Sequence, residues 1–362
     1  MPRKRNTISS EAVETVKKKL LKNNFIAIQY PKDCEELSEH IFQVTGKKIS
    51  ASTLKRFLGF HSSPFAPAYD TIRICEEYLH IENNKLSSLQ NTVDLIVNFF
   101  NPLHYEKINK ADISLQATCR SIAIHIRSNP TLFEKVMEPI AASEFGRAFY
   151  YELFPDYDNL VAFQYKGFMK YLEYEKSYEG KIYGNAILFL KYFWEKDLVN
   201  LEKSWKLIMK LFNPSKHLHP LVLGRYYQVL LIGSKFFKPQ QTNSILKEIF
   251  IIEKQISRDK TGLFYDFPGF HYNTCDGLRY TENYEELYKL SDIALNDFKH
   301  TDEFKWKGFY DHLYMFKSLA LIKMGRREDA RQLVSFINSK QFYFTCKAYF
   351  EKLLTDIKKE LA

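Results

Sequence analysis

Lys47, Lys48, Ser50, Ser52, Thr53, Lys55 and Arg56 bring four cations and three hydroxyls into one short stretch. Residue types of that kind can contact the phosphate oxygens and base edges of duplex DNA. Ser50, Ser52, Thr53, Lys55 and Arg56 are expected to face the duplex, with Lys47 and Lys48 as phosphate clamps. The elements that must hold them lie between Asp33 and Phe60. Asp33 stands where an N-cap should, with Glu36 three residues on to complete a capping box. Cys34, Leu37, Ile41 and Val44 then recur at helical spacing, and Gly46 supplies a left-handed stop. A second helix follows. At about 100° per residue it sets Leu54, Phe57 and Leu58 on one side and Ser52, Lys55 and Arg56 on the other.

The 362 residues leave room for two or three domains, and 45% hydrophobic content excludes disorder of the whole. The net charge is +9, and its placement is uneven. Residues 1–60 hold twelve Lys and Arg against six acids, a surplus of six. Clustered cations supply the counterion-release term of DNA binding; a solvated basic surface is the alternative reading. The N-terminal arm, with Arg3, Lys4 and Arg5, could lie along a DNA backbone or fray. Five scattered cysteines without a Cys-x-x-Cys pair suggest neither a disulfide framework nor a zinc site. With no run of 18 apolar residues, membrane spanning is not indicated and a cytoplasmic protein is expected.

A helix from about Ser9 to Lys22 precedes this segment, and one containing Ala68, Ile72, Cys75 and Leu79 follows it. The run LSEHIFQVTGKKISASTLKRFLGF followed by PAYDTIRICEEYL resembles the helix-turn-helix-like N-terminal module of a group of bacterial proteins with helical-repeat C-terminal regions. Ile49, Ser50, Thr53, Leu54, Lys55 and Arg56 match the pattern that marks the second helix of the pair. The resemblance covers residues 30–85 and implies a transcription regulator that binds DNA. Lys47 and Lys48 lengthen the turn relative to repressor-type sequences, which would tilt the second helix.

Residues 1–85 are therefore read as a helix-turn-helix-like domain, 86–110 as a helical connector, and 111–362 as an α-solenoid. The fold class is all-α. Helical periodicity recurs from about Ala111 onward, interrupted by Asn129–Pro130, Asn213–Pro214 and Lys238–Pro239. Tyr314 to Val334 is similar to the tetratricopeptide repeat, with small residues at Ser318 and Ala320, Gly325 in the turn and Ala330 at the close-packed position.

No phosphate loop, metalloprotease helix, nucleophile elbow or kinase signature is present, so no enzyme, cofactor or metal is expected. His217 and His219 make an incomplete metal site. The stretch 262–284, rich in glycine and aromatic residues, reads as an irregular loop interrupting the solenoid. Within it His271, Tyr272 and Arg279 are candidate ligand contacts, and His271 with Cys275 a conceivable nucleophile pair that lacks an orienting group. A DNA-binding regulator is expected, whose solenoid binds a peptide, protein or small effector and mediates self-association, as in a homodimer. The alternative is an interaction scaffold whose helix-turn-helix docks proteins.

Overall fold

The computed structural model describes residues 9–22, 26–63, 67–102, 108–109, 112–214, 216–256, 267–297 and 303–362, the side chains of 86 and 303–307 excepted. Among them every regular element is helical, so the chain is all-α. Arg3, Lys4 and Arg5 lie outside the described residues, as does 262–266 of the glycine- and aromatic-rich stretch. The chain divides into two compact units, Met1–Leu95 and Ile96–Ala362.

In the first unit, α1 (Ser10–Lys22), α2 (Asp33–Thr45), α3 (Ala51–Leu58) and the start of α4 (Tyr69–Phe99) enclose one core. Leu20, Cys34, Leu37, Ile41, Leu54 and Cys75 in it are fully buried. Gly46 ends α2 at φ 68°, and its N–H donates to the Phe42 carbonyl at 2.8 Å. Asp33 does not cap α2. Its Oδ2 accepts from the Gln29 and Tyr30 N–H groups at 2.8 and 2.7 Å, tying down the incoming chain. The Tyr30 and Gln29 bonds hold the Asp33 carboxyl below its ordinary range. Their contribution is present above the usual Asp pKa of about 4 and is lost as pH falls below it.

The first part of the expected helical connector, residues 86–99, continues α4 without a break. Neither Pro nor Gly occurs between Tyr69 and Phe99. Each Asn or Ser costs roughly 0.5 kcal/mol of helix propensity, too little to end a helix. The two units accordingly divide within that helix, at 95/96.

The second unit continues with α5 (Ile113–Arg127), α6 (Pro130–Ala142) and a three-residue α7 (Glu144–Gly146). A π-helical turn, Arg147–Glu152, follows, and another, Leu160–Gln164, leads into α8 (Tyr165–Tyr174). Beyond it come α9 (Tyr178–Glu195), α10 (Leu198–Leu211), α11 (Pro220–Phe237), α12 (Thr242–Glu253) and α13 (Gly269–Tyr280). The unit is completed by α14 (Tyr284–Asp297), α15 (Glu303–Lys323), α16 (Arg327–Ser335) and α17 (Lys347–Leu361). The starts follow local chemistry: Asp112, Asn129, Ser177, Asp197 and His219 each accept a backbone N–H of the helix they open. Helices α8, α9, α11, α13, α15 and α17 pack one on the next, while α10, α12, α14 and α16 pack beside them.

The expected irregular loop is corrected here, because α13 occupies most of it. Its glycines are contact points for α11. A Cβ on Gly224 would lie 2.6 Å from the Gly269 carbonyl oxygen, and one on Gly277 2.9 Å from the Gln228 Cα. Backbone thus meets backbone at this crossing, which only hydrogen-sized side chains permit. In α15 and α16, Ser318, Ala320 and Ala330 are all fully buried, and Gly325 sits in the turn between the two helices.

Asp158, between the π turns, reaches α17. Its carboxylate accepts from the N–H groups of Ala348 at 3.0 Å and Tyr349 at 3.2 Å, and from Arg127 Nη2 at 2.7 Å. An acid satisfying the orphan donors of a helix start stabilises that helix through its dipole as well.

Gly224→Ala is expected to destabilise the protein by about 3 kcal/mol, because the methyl group meets main chain that cannot rotate away. Urea denaturation checks this, and a midpoint unchanged from wild type would contradict the close crossing.

Candidate functional site

The five residues expected to face DNA and the two expected phosphate clamps lie together at the surface of the α2–α3 turn and α3, in unequal states. Ser52, Arg56 and Lys48 are exposed. Ser50 acts locally: it is the N-cap of α3, its Oγ accepting from the Thr53 N–H at 3.1 Å and lying 2.8 Å from Thr53 Oγ1. Lys47 Nζ pairs with Glu77 at 2.5 Å, and Lys55 Nζ with Glu35 at 3.1 Å. Arg56 Nε donates to the Ser52 carbonyl at 3.2 Å. Partly exposed pairs of this kind are each worth about 0–1 kcal/mol, so a phosphate could displace either. Glu35 and Glu77 would nevertheless remain beside the incoming anion. Leu54, Phe57 and Leu58 on the opposite side of α3 are buried, which fixes the direction its polar face points.

His271, Tyr272 and Arg279 are not gathered into one surface. They leave α13 in three directions. His271 is buried, with Nε2 3.3 Å from Glu253 Oε1 on α12. The Tyr272 hydroxyl is 3.0 Å from His312 Nδ1 on α15, and the His312 ring stacks on Phe350 of α17 at 3.4 Å. Arg279 pairs with Asp276 at 3.0 Å and lies over the Tyr280 ring. Cys275 is fully buried, and burial pushes its thiol well above the ordinary range, which disfavours the thiolate. His219 opens α11, its Nδ1 accepting from the Leu221 N–H. Among the described residues no group of three or more His, Cys, Asp or Glu is placed to hold a metal ion, and no helix is long and apolar enough to cross a membrane.

The close approach of α11 and α13 instead assembles a buried polar network that the sequence does not announce. Arg225 Nη1 donates to Gln228 Oε1 at 2.7 Å, and Nη2 to the Tyr157 hydroxyl. Gln228 Nε2 donates to Asp276 Oδ2 at 2.7 Å. Asp276 Oδ1 accepts from Arg279 Nε and Nη2 and from the Tyr349 hydroxyl. The Tyr349 and Tyr280 hydroxyls are 2.7 Å apart, and Trp194 Nε1 donates to Tyr280. Burial pushes the Asp276 carboxyl up from its ordinary range, against the pull of Arg279 and Arg225. One carboxyl thus pairs with Arg279 directly and reaches Arg225 through Gln228. Asn273 Nδ2 completes the crossing by donating to the Leu221 carbonyl at 3.1 Å.

No protein-family model, curated protein or solved structure matches the chain. The resemblance of residues 30–85 to helix-turn-helix-like modules therefore rests on its quoted residues.

The signal for the network was present as two pairs at helical spacing, Arg225 with Gln228 and Asn273 with Asp276, each inside an otherwise apolar and glycine-bearing run. Polar side chains three apart share a helix face, so each pair is presented together. The partners Tyr157 and Tyr349 come from segments too distant in the chain to be read in this way.

Asp276→Ala would leave the buried Arg279 guanidinium without its ion-pair partner and is expected to destabilise the protein by about 3–5 kcal/mol. Asp276→Asn, which keeps the shape, should cost measurably less. Equal denaturation midpoints for the two variants would show that the charge does not matter there.

Proposed function

We propose that the chain is a DNA-binding transcription regulator. The first unit acts as a helix-turn-helix-like module, and the second as a tetratricopeptide-like α-solenoid that receives an effector or partner and mediates self-association. The observation that carries the reading is the division of α3, with Leu54, Phe57 and Leu58 in the core and Ser52 and Arg56 exposed beside Lys48. Lys47 and Lys55 flank that surface and add charge once released from their acids. The basic surplus of residues 1–60 supports it. Serial packing of α9, α11, α13 and α15 supports the solenoid reading.

A scaffold that docks a protein partner through α3 is the second reading. The Lys47–Glu77 and Lys55–Glu35 pairs favour it, since they spend two of the four cations within the chain. Binding of the full chain to duplex DNA across a salt series separates the two. Under the DNA reading log K falls linearly with log salt, and Lys48→Ala and Arg56→Ala each reduce the slope by about 0.9. Glu35→Gln with Glu77→Gln would free both lysines and is expected to raise duplex affinity about tenfold. Absence of salt-dependent binding at low ionic strength would sink the DNA reading and leave the scaffold.

A further inference from the structure

A small cavity of about 30 Å³ lies inside the second unit, with Arg225, Asn273, Glu152, Tyr157, Tyr343 and Thr345 in its wall. Two of these carry unmet hydrogen-bonding capacity. Arg225 is 5% exposed, yet its Nε has no hydrogen-bond partner. Its Nη atoms bond Gln228 and Tyr157, both neutral, and no carboxylate forms an ion pair with it among the described residues. Asn273 is fully buried, and its Oδ1 has no partner. The bond from Asn273 Nδ2 to the Leu221 carbonyl fixes which amide atom is engaged, so the open atom is an acceptor.

A charged donor and a neutral acceptor therefore line one small cavity. A buried cation without a bonded anion is costly, and a buried acceptor without a donor adds to that cost. Water could meet both hydrogen bonds but would leave Arg225 without a directly bonded anion, since Asp276 reaches it only through Gln228. A carboxylate on Arg225, with a hydroxyl or ammonium beside it donating to Asn273, meets both and gives Arg225 a directly bonded anion. We infer that the cavity beside Arg225 binds a small carboxylate carrying an adjacent hydrogen-bond donor, an α-hydroxy or α-amino acid. The space corresponds to roughly two waters, about 60 Å³ of liquid volume, which suits a two-carbon acid. The inference rests on the reading of the second unit as the receiving half only for what the binding would regulate.

Thermal unfolding of the full chain with glycolate, glycine or acetate tests it, with ligand binding and not DNA binding as the readout. A failure of the DNA reading is therefore visible separately. Glycolate, glycine or both should raise Tm saturably, by about 3 °C at ten times Kd, with acetate at least tenfold weaker because it lacks the donor. Asn273→Asp would pair with Arg225 internally and should abolish the shift while the protein still unfolds cooperatively. Arg225→Met should abolish it too. If Arg225→Met does not fold, Asn273→Asp and the three wild-type titrations decide the matter. No saturable shift with glycolate or glycine, an equal shift with acetate, or a shift that survives Asn273→Asp would overturn the inference and leave a water-filled cavity.

Discussion

The second unit depends on a contact between two main chains. Where α11 crosses α13, Gly224, Gly269 and Gly277 remove the side chains that would hold the helices apart. Ordinary helix pairs lie 8–10 Å apart because side chains intervene. Here Asn273 can reach a main-chain carbonyl of α11, and Gln228 can reach Asp276. The polar network is a consequence of that approach. Close packing gives it low exposure, and low exposure makes its hydrogen bonds strong and its unmet groups expensive.

The same logic sets the difference between the two groups of candidate residues. Those on α3 sit in water, where charge pairs are weak and exchange readily with phosphate or with a partner's acids. Those around Arg225 are removed from water, so each is committed to one geometry. A surface of the first kind suits reversible capture of a polyanion. An interior of the second kind suits recognition of a small, well-defined group.

Much of this was legible locally. Period and breaker residues located α2, α3 and most helices of the second unit, since Gly46 and the Asn–Pro pairs act through their own backbone. Burial of Leu54, Phe57 and Leu58 followed from spacing, and that of Ala330 from the resemblance of its stretch to the tetratricopeptide repeat. The failures have physical causes. Asp33 had two sets of N–H groups in reach and bonded the upstream one. Ser50, a hydroxyl that spacing sets among candidate DNA contacts, also caps its own helix, because a backbone donor lies within its reach. The glycines of α13 read as breakers, when their role is to let another helix approach. Asp158 gives no local sign that it serves residues 348 and 349.

That last feature has a consequence in time. A chain made at about 5–20 residues per second needs roughly 10–40 s to pass from Asp158 to Ala348, 190 positions later. Throughout that interval Asp158 and Arg127 have already been synthesised, while the helix start they serve has not. The earlier helices can stack as they emerge, but the clasp must wait, so a vectorially made chain passes through a state with this polar pair open to water. The arrival of α17 ends that state.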